Sequence, residues 1–165
     1  RSPHGAKMTD EQFDAMQDVH VKAPFRILRE AAEPIRKLAK QEAAAGREVF
    51  RKVVNIASVA GINGNPGQTN YSSAKAALVG MARSLTREIG GRGVTANVVA
   101  PGFIETDMTA VLADEVVAGY QAAIPAHRLG TVREVAATVA FLAGEDAGYI
   151  SGAVIPVDGG LGMGH

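Results

Sequence analysis

The sequence predicts an α/β protein built around a parallel sheet, and three observations lead to that fold class. Short apolar runs bounded by turn-forming residues lie at residues 53–57, 94–99 and 153–157, and such runs are typical of buried strands. Longer segments with apolar residues three and four positions apart, typical of amphipathic helices, separate those runs. Strands that alternate with helices pair in parallel through right-handed crossovers.

The composition is that of one globular domain without a strong charge. Of 165 residues, 47% are hydrophobic and 21% are charged, and 17 basic residues balance 17 acidic ones. A chain of this length buries a substantial core, and a net charge of zero gives no reason to expect nucleic acid or an anionic membrane as a partner. No apolar run approaches the ~18 residues of a membrane span, and no signal peptide opens the chain. We therefore predict a soluble, cytoplasmic protein.

The first helix is predicted to begin at Thr9, because Thr9 and Gln12 have the spacing of a capping box. Helical periodicity continues to about residue 40. Pro24 and Pro34 each lack a backbone donor, so each is expected to kink the helix or break it into segments. The alanine-rich stretch 41–48 is expected to form a protruding helix end and a loop.

The remaining elements follow from turn and capping signals. The strand at 53–57 leads into the turn-rich stretch 61–67, and a helix over about 70–89 is predicted to stop at a pair of glycines. The strand at 94–99 is followed by a mobile-looking segment, 103–126, with one or two short helices. Thr131 and Glu134 form a second capping box, which predicts a helix from Val132 to Ala143 before the last strand.

Three side chains form the candidate catalytic group. Ser58 lies at the end of the first predicted strand, Tyr71 follows it by thirteen positions, and Lys75 follows Tyr71 by four. Residues four apart on a helix share a face, so Tyr71 and Lys75 can point into one site. A nearby ammonium stabilises the phenolate form of a tyrosine, which suits the tyrosine to proton exchange. A hydroxyl at the strand end could hold a substrate oxygen, so the group indicates carbonyl or alcohol chemistry.

These residues belong to motifs that resemble a known family. The sequences NIAS at 55–58, YSSAK at 71–75, NVVAPGFIET at 97–106 and YISGAVIPVDGG at 149–160 resemble the second half of short-chain dehydrogenases/reductases. Within that family they are similar to bacterial 3-oxoacyl-(acyl-carrier-protein) reductases of fatty acid biosynthesis. The resemblance extends from Met8 to His165, with the motifs in the family's order and spacing.

The resemblance implies a Rossmann-like sheet and a hydride transfer between NADP or NAD and a carbonyl, with Tyr71 as acid and base. By the same resemblance, Ser58 binds the substrate oxygen and Lys75 holds the nicotinamide ribose. The remaining cofactor-binding positions are Pro101, Gly102, Ile104 and Thr106. It also implies a homotetramer formed through the helices at 9–40 and 70–89 and the last strand.

The sequence departs from the family pattern in two places. The family's Gly-rich phosphate loop, ribose-selecting residue and first strands would precede Met8 and do not occur here. Residues 1–165 are therefore expected to form the C-terminal portion of a single Rossmann-like domain, with its last three strands. We expect the other half to exist in the native protein, or the chain to be interrupted near residues 1–8. The second departure is His20, which aligns with an asparagine that holds a proton-relay water.

Several interpretations stay open from the sequence alone. The main hypothesis is NAD(P)-dependent reduction of a 3-oxoacyl thioester, carried by acyl carrier protein or coenzyme A. An alcohol or steroid dehydrogenase of the same family has the same tyrosine chemistry, and a truncated, non-catalytic assembly partner is a third possibility. Arg92 aligns with a position that docks acyl carrier protein in relatives, although a solvated loop arginine explains it equally. No metal site is expected, because the sequence has no cysteine and His4, His127 and His165 share no metal-ligand spacing.

Overall fold

The structure, a computed structural model, describes residues 7–163. His4 and His165, considered above as metal ligands, lie outside that range. Its helices are α1 (Asp10–Gln17), α2 (Ala23–Ala44), α3 (Ala60–Asn63), α4 (Thr69–Ile89), α5 (Asp107–Ala110), α6 (Asp114–Ala123) and α7 (Val132–Ala143). Its strands are β1 (Arg51–Ile56), β2 (Val94–Pro101), β3 (Ile104–Glu105), β4 (Gly130–Thr131) and β5 (Val154–Val157).

The predicted parallel sheet is confirmed. β2 lies in the middle with β1 on one side and β5 on the other, and both pairings are parallel. Residues 94–100 of the central strand are buried without interruption, as expected for a strand covered on both faces. The three strands therefore end at the same edge of the sheet, where the site residues predicted from the sequence follow them.

Helices cover both faces of this sheet. On one face, Ala96 and Val98 of β2 pack against Leu78 and Ala82 of α4. On the other face, Val99 packs against Leu142 of α7. Because α4 is fixed to the sheet along its buried side, the first turns of α4 are held beside the end of β1.

The N-terminal helical region begins as predicted but is less interrupted than expected. The capping box is present, with the Gln12 backbone N–H donating to the Thr9 hydroxyl at 3.3 Å. A π-helical turn, Asp18–Lys22, joins α1 to α2. Pro24 lies just after this π-helical turn, so the helical path changes where the proline lacks a backbone N–H, as expected for that residue. The helix continues through Pro34, so a break at that residue was a wrong prediction.

Two other elements differ from the sequence prediction. The stretch 61–67 was expected to be rich in turns. Its first residues belong instead to α3, while Gly64 and Gly67 adopt positive φ angles of 75° and 80°. The short parallel pair of β3 and β4 was not predicted at all. The one or two short helices expected within 103–126 are present as α5 and α6.

No helix within residues 7–163 is long and apolar enough to cross a membrane.

The capping box of α7 is confirmed, and the glutamate of that box also binds a neighbouring cation. The Glu134 backbone N–H donates to the Thr131 hydroxyl, and the Glu134 carboxylate accepts from the Thr131 backbone N–H at 2.8 Å. The Arg128 guanidinium also donates to both carboxylate oxygens of Glu134. The bonds from Arg128, followed by those from Thr131, lower the pKa of Glu134 from 4.5 to about 2.

Glu134 is expected to contribute to stability in a pH-dependent way. Its folded-state pKa lies below the unfolded value, so its contribution is full above pH 4.5 and is lost as the pH falls toward about 2. We expect Glu134→Gln to lower the thermal midpoint at pH 7 and to remove this part of the acid sensitivity. Thermal melts between pH 2.5 and 7 measure both effects. Glu145→Gln, at an exposed carboxylate, is the matched control, and equal midpoints for both variants at every pH would contradict the prediction.

Candidate active site

The three residues of the candidate catalytic group lie around the end of β1. Ser58 lies two residues beyond the end of that strand, while Tyr71 and Lys75 lie in the first two turns of α4. The Lys75 ammonium donates to the carbonyl oxygen of Ile56 at 2.9 Å, two residues before Ser58. The same ammonium lies 5.7 Å from the centroid of the Tyr71 ring. All three side chains are half-buried, so each is held by the protein and still reaches the edge of the sheet.

A close approach between α3 and α4 sets the position of Ser58. At Gly61 an added Cβ atom would lie 2.8 Å from the Cβ atom of Lys75, so a larger residue would push the two helices apart. The Ser58 hydroxyl oxygen accepts a hydrogen bond from the Ala60 backbone N–H at 3.2 Å. That bond orients the oxygen and leaves the hydroxyl hydrogen available for another acceptor.

The turn that carries Tyr71 is anchored to α1 by amide side chains. Asn70 accepts from the Tyr71 backbone N–H at 2.8 Å and donates through Nδ2 to the carbonyl oxygen of Gln12 at 3.0 Å. Gln17 donates to the Ser73 hydroxyl at 3.3 Å. Sequence reasoning missed these contacts. The signal available was the amide of Asn70 at the start of a helix, where asparagine commonly accepts from free backbone N–H groups.

His20 lies against Tyr71 from the π-helical turn. The two rings are perpendicular, with an interplanar angle of 88° and centroids 5.4 Å apart. Burial lowers the pKa of His20 below 6.5, and the positive charge of Lys75 lowers it further. Burial also lowers the pKa of Lys75 below its usual value.

The second group of predicted site residues follows the central strand. Pro101 is the last residue of β2, Ile104 begins β3, and Thr106 forms a capping box at the start of α5. At Gly102 an added Cβ atom would lie 2.7 Å from the Cβ atom of Asp158, so this position needs glycine for the chain to pass the end of β5. The Val59 backbone N–H donates to the Pro101 carbonyl oxygen at 2.9 Å. The segment after Ser58 and the segment after β2 are therefore bonded side by side.

The groups at this edge suit a ligand that carries hydroxyls and an amide. Among the described residues the Lys75 ammonium makes one hydrogen bond, to Ile56, so two of its three N–H donors are available for a ligand. The hydroxyl hydrogen of Ser58 and the backbone beyond Gly102 provide further polar groups. No cluster of three His, Cys, Asp or Glu residues that could hold a metal ion occurs within residues 7–163.

Comparisons with known proteins agree with this geometry. A family model described as enoyl-(acyl carrier protein) reductase matches residues 2–162. The chain is 48% identical over 159 residues to 3-oxoacyl-[acyl-carrier-protein] reductase MabA of Mycobacterium avium. The aligned region covers 96% of this chain and 58% of that protein. It is 57% identical over 112 residues to 3-oxoacyl-[acyl-carrier-protein] reductase FabG of Haemophilus influenzae, covering 68% of this chain and 46% of the relative. It is also 43% identical over 157 residues to nodulation protein G of a Rhizobium species, covering 95% of this chain and 60% of the relative.

The parallel sheet, the position of the three side chains and these matches define the class of protein. The chain belongs to the short-chain dehydrogenase/reductase family. It spans 58% of the length of the Mycobacterium avium relative and 60% of the Rhizobium relative.

Proposed function

We propose that the protein is an NAD(P)-dependent oxidoreductase that reduces a 3-oxoacyl thioester to the 3-hydroxyacyl form in fatty acid biosynthesis. The observation that carries this proposal is the placement of Tyr71 and the Lys75 ammonium at the end of β1, where the chain continues to Ser58 and bonds through Val59 to Pro101. The names of the relatives supply the substrate class, since MabA and FabG are both described as 3-oxoacyl-[acyl-carrier-protein] reductases.

In this proposal each of the three residues has a defined role. The bound nicotinamide, of NADP or NAD, supplies the hydride. Tyr71 donates a proton to the substrate oxygen, which Ser58 holds by a hydrogen bond. Lys75 binds the ribose hydroxyls and stabilises the phenolate that Tyr71 leaves behind. A half-buried ammonium 5.7 Å from the ring suits this role, because partial burial weakens the screening of its charge by water.

The backbone beyond β2 would hold the nicotinamide carboxamide, with Pro101, Gly102, Ile104 and Thr106 as the binding positions. The segment 106–128 would close over the acyl chain. Phe103 and Tyr120 support this assignment, because their rings stack with centroids 3.9 Å apart and an interplanar angle of 23°. That stack attaches α6 to the proposed cofactor-binding segment itself.

The proposed reaction is tested with purified protein and a substrate panel. Oxidation of NADPH and of NADH is followed at 340 nm with acetoacetyl thioesters of acyl carrier protein, coenzyme A and pantetheine. The reverse reaction is followed with secondary alcohols and hydroxysteroids. Turnover of the thioesters supports the proposal, while turnover of alcohols or steroids alone would replace it with another dehydrogenase of the same family.

We also propose that acyl carrier protein docks on a basic groove of about 670 Å³ beside the start of β2. The groove is lined by four exposed cations, Arg36, Lys40, Arg47 and Arg92. Glu42 and Glu48 also line it, and the Glu42 carboxylate is paired with Arg51 at 2.7 Å, so the four cations exceed the two carboxylates. Excess positive charge suits an acidic protein partner.

Charge reversal at Arg92 is expected to separate carrier docking from chemistry. Arg92→Glu replaces an attraction by a repulsion, so the KM for an acyl-carrier-protein thioester is expected to rise roughly tenfold at low salt. The KM for an uncharged pantetheine thioester is expected to stay the same. Arg133→Glu, at an exposed position on the opposite face of the sheet, is the matched control. Equal KM values for Arg92→Glu and the native protein would remove Arg92 from the docking surface.

A homotetramer is proposed through α1, α2, α4 and β5. Two observations support it. α2 leaves Phe25, Ile27 and Leu38 between 48% and 69% exposed, and β5 lies at an edge of the sheet. A cytoplasmic location stays a prediction.

A further inference from the structure

His20 lies where the helical path of the N-terminal region changes. It belongs to the π-helical turn between α1 and α2. In such a turn each backbone hydrogen bond joins residues five apart instead of four, and these turns are common at functional sites. The turn places the imidazole perpendicular to the Tyr71 ring, with the ring centroids 5.4 Å apart. The proposed roles of Ser58, Tyr71 and Lys75 do not use this side chain.

The surroundings of His20 favour an uncharged imidazole. α4 contributes Tyr71 and the ammonium of Lys75, whose charge opposes a second positive charge nearby. On the π-helical turn itself, Asp18 and Lys22 pair with each other at 2.6 Å. The neighbouring ends of the other elements are uncharged, with Gln17 ending α1 and Ala23 and Pro24 beginning α2.

We propose that His20 is a positioning residue of this site: its uncharged imidazole holds the Tyr71 ring beside Lys75, and its protonation on acidification disrupts that arrangement. The inference rests on the proposed function, because turnover is one of its two readouts. It extends that function by linking the proton-donor site to the pH of the surroundings.

The physical argument is one of linkage between two charges. The positive charge of Lys75 disfavours protonation of His20. By linkage, a protonated His20 disfavours the Lys75 ammonium at its hydrogen bond to Ile56 by the same free energy. An imidazolium that is half-buried also needs more hydration than the neutral ring. Both effects move the imidazole away from Tyr71 at low pH, and the phenol then loses one wall of its pocket.

The sign of the effect on stability follows from the direction of the shift. The folded-state pKa of His20 lies below the usual value of 6.5, so between these two values the unfolded chain binds more protons than the folded one. Acidification through this window therefore disfavours the native site. A glutamine at position 20 cannot titrate and is expected to remove this dependence.

The first arm of the test measures the linkage without any turnover. The imidazole resonances of His20, assigned with His20→Gln, are titrated by NMR in the native protein, in Lys75→Met and in Lys75→Arg. We expect the His20 pKa to lie below 6.5 in the native protein, to rise in Lys75→Met, and to stay low in Lys75→Arg, which retains the charge. A His20 pKa that does not rise in Lys75→Met would overturn the proposal.

The second arm measures the pH dependence of kcat/KM between pH 5 and 8. In the native protein the rate is expected to fall by about tenfold per pH unit below the His20 pKa. This decline should disappear in His20→Gln and in His20→Phe, and it should persist in His127→Gln, a control at an exposed histidine. At pH 8, His20→Phe is expected to retain more activity than His20→Ala, because it keeps a ring against Tyr71.

The two arms also separate this inference from the proposed function. An unchanged acid decline in His20→Gln would overturn the positioning role, even if thioester reduction is established. If no thioester is reduced at any pH, the proposed function fails, while the NMR titration still decides whether His20 and Lys75 are linked.

Discussion

Tyr71→Phe is expected to lower kcat by about 10²–10⁴-fold, which is the range that a positioned general acid contributes. The substitution removes only the hydroxyl that would donate the proton. The ring remains, so the perpendicular contact with His20 is kept, and Asn70 still accepts from the backbone N–H of residue 71. The fold and the nucleotide site should therefore survive, and the loss should fall on turnover.

The measurement pairs steady-state kinetics with a direct titration of NADPH or NADH by fluorescence. We expect the dissociation constant of the nucleotide to change by less than a few-fold while kcat collapses. Tyr149→Phe is the matched control, since Tyr149 is fully exposed and the same atom is removed. A rate for Tyr71→Phe close to that of the native protein would end the proposed mechanism, because no other described hydroxyl has the same position beside Lys75.

The main elements of the fold could be predicted from the sequence because each has a strong local signal. The run 94–99 is apolar at four of its six positions, and the structure buries that stretch completely as the central strand. Thr9 and Thr131 each carry a capping box that is visible from spacing alone, and both boxes are present in the structure. In these cases local sequence and tertiary packing favour the same conformation.

The elements that were missed depend on contacts between distant parts of the chain. β3 and β4 have two residues each, and they pair across 26 positions, so neither has a periodic pattern of its own. α3 contains Gly61 and ends at Gly64, which indicate a turn. Its helical turn is stabilised by packing against α4, where only glycine permits the approach to Lys75. Pro34 was expected to kink the helix or break it into segments, yet α2 continues through it.

In the candidate site, too, some features have a local sequence signal and others depend on contacts between distant parts of the chain. The spacing of Ser58, Tyr71 and Lys75 predicted that they share one site, because Tyr71 and Lys75 are four apart on a helix and therefore lie on the same face. The link between Val59 and Pro101 joins two segments that are 42 positions apart, and no sequence pattern encodes that bond. The anchoring of Asn70 to Gln12 likewise requires the packing of α1 on α4. Sequence patterns therefore selected the candidate reacting groups, and the structure shows the contacts that position them.

Lys75→Ala is expected to weaken nucleotide binding and to lower turnover in the same variant. In the proposed site the ammonium donates to the ribose hydroxyls, and a hydrogen bond from a charged group contributes about 1.5–3 kcal/mol. That range corresponds to a dissociation constant raised roughly 10- to 100-fold. Turnover falls as well, because the charge that stabilises the Tyr71 phenolate is removed from a position 5.7 Å from the ring.

A double variant distinguishes the two roles of this lysine. If its effect on rate acts through the phenol, Tyr71→Phe combined with Lys75→Ala should turn over no more slowly than Tyr71→Phe alone, since a group that is already absent cannot be stabilised. The loss of nucleotide affinity should appear in full in the double variant. Lys37→Ala, at an exposed lysine of α2, controls for the loss of one positive charge. Unchanged affinity and unchanged kcat in Lys75→Ala would remove Lys75 from the site, whereas strictly multiplicative rate losses in the double variant would show that the lysine acts on the reaction independently of Tyr71.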